Sequence, residues 1–142
     1  MGKLRRLFDL PRADKVLLAR AWLALLAVDL GVRFVSFDAV QDFIARHAKA
    51  GGNNSPERLQ KFVRLAARHH LWKMACLPQA LALRWLLARE GSAAVVMIGV
   101  RRGAGVLEAH AWVELNGKAL GEPADVRARF RVMQSPRAVE ML

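Results

Sequence analysis

A chain of 142 residues, 54% of them hydrophobic, suffices for one domain with a buried core and is too apolar for disorder. Lys plus Arg outnumber Asp plus Glu by 23 to 12, a formal net charge of +11. The arginines are spread along the whole length without a zinc-finger, RNP or Gly-rich phosphate motif, so a solvated basic surface is favoured and nucleic acid is not expected as a partner.

The N-terminal stretch holds Lys3, Arg5 and Arg6, but no uninterrupted apolar core with a cleavage site follows it. The most apolar stretch, Val16 to Val28, carries Arg20 and runs into Asp29. It falls short of the ~20 apolar residues that a membrane span needs. Neither secretion nor a membrane span is expected, and a peripheral, amphipathic membrane contact stays open.

Leu17, Leu18, Trp22, Leu25 and Leu26 recur at helical spacing and predict a helix over about Ala13–Val28, ended by a break at Gly31. A shorter helical segment follows around Phe37–Ala48. The GGNNSPE loop ends in Ser55-Pro56-Glu57, an N-cap, a proline at the first helical position and an acid in the first turn. The helix it opens runs toward His70 with Leu59, Phe62, Val63 and Leu65. Cys76-Leu77-Pro78 opens the next helix, with Gly91 at its C-cap. Ala93 to Val100 then predicts a strand, RRGAG a turn, and Val106 to Leu115 the partner strand. Asn116-Gly117 is a tight-hairpin signal before a short third strand, Lys118–Leu120. Helices followed by an antiparallel sheet give an α+β class. The expected division is a helical N-terminal region over residues 1–54 and a core over residues 55–142, together forming one compact unit.

Cys76 is the single cysteine. It excludes an internal disulfide framework and Cys-rich zinc sites, so no metal is expected, and it fits a reducing cytoplasm with a free thiol. A nucleophilic thiol must ionise, and a helix N-terminus favours the anion. It also needs an imidazole, and of His47, His69, His70 and His110 only His110 lies on a strand next to the helix that Cys76 opens. Alternation puts Leu107, Ala109, Ala111 and Val113 on one face of that strand, and Glu108, His110, Trp112 and Glu114 on the other. A carboxylate to orient the imidazole should come from past the hairpin, where Glu122 and Asp125 both qualify. Glu114, four residues along an extended strand, would be about 13 Å away. The Cys76 backbone N–H is a natural oxyanion donor, and a second could come from His70, Trp72 or Lys73. Trp112 is a candidate for packing beside substrate or, alternatively, a core tryptophan.

C-L-P-Q-A-L-A-L-R-W-L-L-A-R-E-G, V-V-M-I-G-V and E-A-H-A-W-V-E-L-N-G occur here in that order. These segments resemble the transglutaminase-like peptidases of lasso-peptide biosynthesis, the B proteins, in the stand-alone form that lacks a leader-recognition domain. The resemblance is strongest over Cys76 to Asp125. It implies a papain-like or transglutaminase-like core in a bacterial cytoplasmic enzyme that cuts the leader from a ribosomally made precursor, commonly after a segment with threonine at its penultimate position. The implied partners are the precursor, a separate leader-recognition protein and an ATP-dependent macrolactam cyclase, and no cofactor is implied. Cys76 matches the nucleophile and His110 the base. Where the family carries an aspartate in an Asn-Asp pattern this chain has Gly121-Glu122, leaving Asp125 as the other choice of acid. Two rival readings remain: an amidase or acyltransferase using the same dyad, and a non-catalytic basic module in which Cys76 is merely buried.

Overall fold

The computed structural model describes residues 6–134. Residues 1–5, with Lys3 and Arg5, and residues 135–142, at the end of the expected core region, lie outside the described residues. The helices α1 (Arg12–Phe34), α2 (Phe37–Arg46), α3 (Pro56–Arg68) and α4 (Cys76–Arg89) precede the strands. Then follow β1 (Val95–Arg102), β2 (Leu107–Leu115), β3 (Lys118–Ala119), a single-turn α5 (Val126–Arg129) and β4 (Arg131–Gln134). The strands form one antiparallel sheet in the order β3-β2-β1-β4. The class is α+β, as the sequence predicts.

Local chemistry accounts for most of the boundaries. The Ser55 hydroxyl accepts the Arg58 N–H at 3.2 Å and Pro56 occupies the first turn, so α3 begins where its capping residues require. Asn116 and Gly117 both adopt positive φ, 54° and 81°, as a two-residue hairpin demands. α1 departs from expectation. It passes through Gly31 and ends at Phe34, because Gly31 marks a helix–helix contact: a Cβ there would stand 2.7 Å from Val40 Cγ2 on α2. The strand pair β1–β2 also sits slightly later than the apolar pattern suggests, since Arg101 and Arg102 belong to β1. Neither α5 nor β4 is foreseen by the sequence.

One buried cluster runs from Leu17 on α1 through Ile44, Leu59, Leu81 and Leu87 to Val96, Val113 and Leu120. α4 lies at its centre, between the other helices and β2. Pro78, Ala80, Leu81, Ala82, Leu83, Arg84, Leu86 and Leu87 are all buried, which is why its apolar residues do not form a narrow stripe. Arg84 survives burial by bonding to Gln41 Oε1 and, at 3.3 Å, to the Ala94 carbonyl. On α1, Leu17, Ala21, Ala24, Leu25 and Val28 point inward while Val16 and Leu23 stay exposed, so the Val16–Val28 stripe is only partly core. Among the described residues no helix is long and apolar enough to cross a membrane.

A second, smaller cluster covers the opposite face of the sheet. Met97, Trp112 and Val126 are buried there against Val95, Ala119, Phe130 and Val132. The chain returns through α5 and β4, which pairs with β1, and so brings Phe130 over this face.

Candidate active site

Cys76 is the first residue of α4. The helix N-cap, Ala75, has no side chain able to accept a hydrogen bond, and none caps the helix. Pro78 contributes no N–H. The amides of Cys76 and Leu77 therefore lack a capping side chain, at the helix end that favours negative charge. Cys76 Sγ accepts the Ala111 N–H at 3.4 Å, so the thiol abuts the edge of β2 one residue past His110.

His110 stands on the other face of β2. Its Nε2–H donates to Glu122 Oε1 at 2.7 Å. The ring is 5.7 Å from Trp112, stacked, and 5.2 Å from Phe130. Gly99 lies directly opposite His110 in the ladder. A Cβ at Gly99 would meet Phe130 Cβ at 2.7 Å and the Trp112 ring at 3.0 Å. The glycine in the Ile-Gly-Val strand thus makes room for the aromatic wall that holds the imidazole.

Cys76, His110 and Glu122 share one cleft with Gln60, Val63, Arg64, Gln79, Ala80, Leu83, Ala111, Trp112, Val113 and Leu120. Its volume of about 190 Å³ accommodates side chains rather than a folded peptide, so a peptide would lie across it. Gln60 and Arg64 carry no signal in the sequence that marks them for this cleft. They sit one helical turn apart on α3 and grip the segment that carries Glu122. Arg64 Nη2 donates to the Gly121 carbonyl at 3.0 Å, and a Cβ on Gly121 would stand 2.3 Å from Gln60 Nε2. Gly121 also has φ +68°, a conformation that glycine adopts without penalty. The i, i+4 spacing was visible in the sequence, but nothing local tied that face to residue 121.

The remaining candidates lie elsewhere. Asp125 precedes α5 and pairs with Arg129 at 3.1 Å, with 57% of its side chain exposed, and it does not line the cleft. His70 is turned toward α1: it stacks on Trp22 at 4.2 Å and its Nε2–H donates to the Trp22 carbonyl at 3.0 Å. The Trp72 indole N–H donates to Asp29 at 2.9 Å, and Lys73 is exposed. None of these three lines the cleft, because the chain between α3 and α4 runs along α1. Trp112 does line it, yet is only 2% exposed, so it supports the imidazole more than it offers a surface to substrate.

Glu114 is committed to the outer face. It is buried and accepts the Trp112 indole N–H at 2.9 Å and Arg127 Nε and Nη2 at 2.8 and 2.6 Å. The Arg127 hydrogen bonds are the chief reason its carboxyl is held below its ordinary 4.5; burial opposes them, and the indole N–H and the Arg127 charge assist. Arg127 is raised in turn, first by the same hydrogen bond.

Among comparisons with known proteins, the family model described as the transglutaminase-like superfamily matches residues 16–135. Neither the curated proteins nor the solved structures yield a match.

Proposed function

Because the chain belongs to the transglutaminase-like superfamily, we propose that it is a cysteine peptidase that removes the leader from a ribosomally made lasso-peptide precursor. The observation that carries this reading is the convergence on one cleft of a thiol at an uncapped helix start, an imidazole and a carboxylate bonded to that imidazole.

In the proposed cycle the Cys76 thiol passes its proton to His110 Nδ1 and the sulfur attacks the carbonyl carbon of the last leader residue. The free amides at the start of α4 receive the developing oxyanion. As the C–N bond breaks, the imidazolium returns the proton to the departing amine, which becomes the free N-terminus of the core peptide. Water, deprotonated by His110, then cleaves the thioester and restores the thiol. Throughout, Glu122 accepts from Nε2–H, which keeps Nδ1 toward the sulfur and stabilises the charged ring. Glutamate in place of the aspartate common in the resembling peptidases carries one more methylene. Here that length is matched by the Gly121 turn gripped from α3.

The freed amine is the substrate that an ATP-dependent macrolactam cyclase would require. A separate leader-recognition protein would deliver the precursor, and the bacterial cytoplasm would keep Cys76 reduced. The test is mass spectrometry of precursor incubated with this protein and that partner. A single cut at the leader–core junction, lost in Cys76→Ala and in His110→Ala, is expected. Cleavage that survives Cys76→Ala overturns the reading. Transfer products without hydrolysis would instead indicate an acyltransferase.

A further inference from the structure

The edge of β2 carries a feature that the proposed chemistry does not use. β2 is paired with β1 along its whole length, Leu107 to Leu115. On its other side β3 pairs only with Glu114 and Leu115, and one further bond joins Leu120 N–H to the Val113 carbonyl. Among the described residues no strand lies against the edge from Leu107 to Ala111.

The parity of the hydrogen bonds shows which backbone groups this edge exposes. Val106 exchanges both its bonds with Gly103 in the β1–β2 turn, so the even-numbered residues of β2 face β1. Val113 and Ala111 face the other way, toward Leu120 and Cys76 Sγ respectively. In an antiparallel ladder this alternation continues, so the N–H and C=O of Ala109 and Leu107 point out along the same edge. Both residues are exposed, as is the preceding Val106. Among the described residues this row of backbone groups has no strand partner; it ends at the thiol, and β3 is too short to cover it.

We propose that this edge is a binding site for the extended peptide segment that precedes the scissile bond, which adds to the sheet as a strand parallel to β2. The inference deepens the peptidase reading and rests on it for the identity of the occupant. The direction follows from the site. His110 projects from the outer face and must reach the departing amine, so the leaving segment exits over that face and the acyl segment takes the edge. With the reacting carbonyl at Cys76, the last residue before the cut lies opposite His110 and the third lies opposite Glu108. In a parallel pair the N–H of the last residue then donates to the Ala109 carbonyl. The third residue donates to the Leu107 carbonyl and accepts from the Ala109 N–H. The second residue turns its N–H away. Recognition of this kind reads the backbone and requires an extended, proline-free leader end.

The probe is acetyl-tetraalanyl chloromethyl ketone, whose methyl side chains leave the backbone as the main recognition element. The Cys76 thiolate displaces chloride from the ketone's methylene, forming a thioether. Labelling rates are followed by mass spectrometry of the full chain and normalised to the rate of each ketone with free cysteine. N-methylation at the first or the third residue before the ketone should slow labelling about tenfold, the loss of roughly one backbone hydrogen bond, while N-methylation at the second leaves it nearly unchanged. Ala109→Pro should slow the unmethylated probe about tenfold. Its N–H lies outside the β1 ladder, so the β1–β2 pairing survives, and iodoacetamide labelling should stay at the wild-type rate. Equal effects at all three N-methylated positions, or none at any, overturn the proposal, even where Ala109→Pro fails to fold. Failure of the peptidase reading is recognised separately: the precursor stays intact while the alternating pattern of labelling persists.

Discussion

The inner face of the sheet presents Val96, Ile98, Ala111 and Val113 to the helices, whereas the outer face carries His110, Trp112 and Glu114 beneath Phe130 and beside Arg127. The inner face is held by apolar burial continuous with the helical core, so many side chains share each contact. Among the described residues the outer face is small: three buried apolar residues, a stacked imidazole and one buried carboxylate tied to an arginine and an indole. Cys76 belongs to the first of these environments and His110 to the second, and both line the cleft where β2 passes the start of α4. The separation means that the helical core and the surroundings of His110 are built from different contacts.

The largest effect should come from His110→Ala. It removes a partly buried residue outside the main core, so the thermal midpoint should hardly move, while precursor cleavage falls on the order of 10⁴-fold or more. A large loss of stability would show that the two faces are not separable. Trp112→Ala attacks the outer cluster itself. Calorimetry or urea unfolding should register about 3–5 kcal/mol, with cleavage reduced because the imidazole loses its stacking wall. Glu122→Ala should leave the fold intact and lower cleavage about 10²- to 10⁴-fold, measured as kcat.

A pH experiment sharpens the comparison further. The Glu114 carboxyl lies below its ordinary 4.5 in the folded chain, so the unfolded chain takes up the proton first as pH falls. The contribution to stability is therefore complete above about 4.5 and is lost as pH drops through the lowered folded value. Urea midpoints for the wild type should decline over that interval, and Glu114→Gln should show a shallower decline there. An identical slope would mean that the Arg127 pair contributes nothing to stability. Smallest of all, Asp125→Asn removes only an exposed pair with Arg129. Both cleavage and stability should stay close to wild type, within about 1 kcal/mol. A loss comparable to that of Glu122→Ala would favour Asp125 over Glu122 as the acid that orients His110.

Much of this architecture was written in short-range patterns. Ser55-Pro56, Asn116-Gly117 and the alternation through His110 and Trp112 each depend on backbone geometry within a few residues, and each appears in the structure where local chemistry puts it. Gly31 departs from its local pattern for the opposite reason. A glycine that ends a helix and one that admits a neighbouring helix have the same local sequence, and only the approach of Val40 distinguishes them. β4 has no local signature because a four-residue strand acquires its identity from the partner it pairs with.

The sequence by itself determined that a lone thiol opens a helix, that an imidazole follows on a strand and that an acid lies beyond a hairpin, because each of these is encoded in capping, alternation or turn chemistry. Only the tertiary structure decided which acid meets the imidazole. Glu122 and Asp125 are three residues apart and chemically alike, and the separation between them is made by Gln60 and Arg64 gripping the Gly121 turn from α3 while Arg129 draws Asp125 outward. Contacts between residues so far apart in the chain have no local signature, so they exist only once the helices have packed.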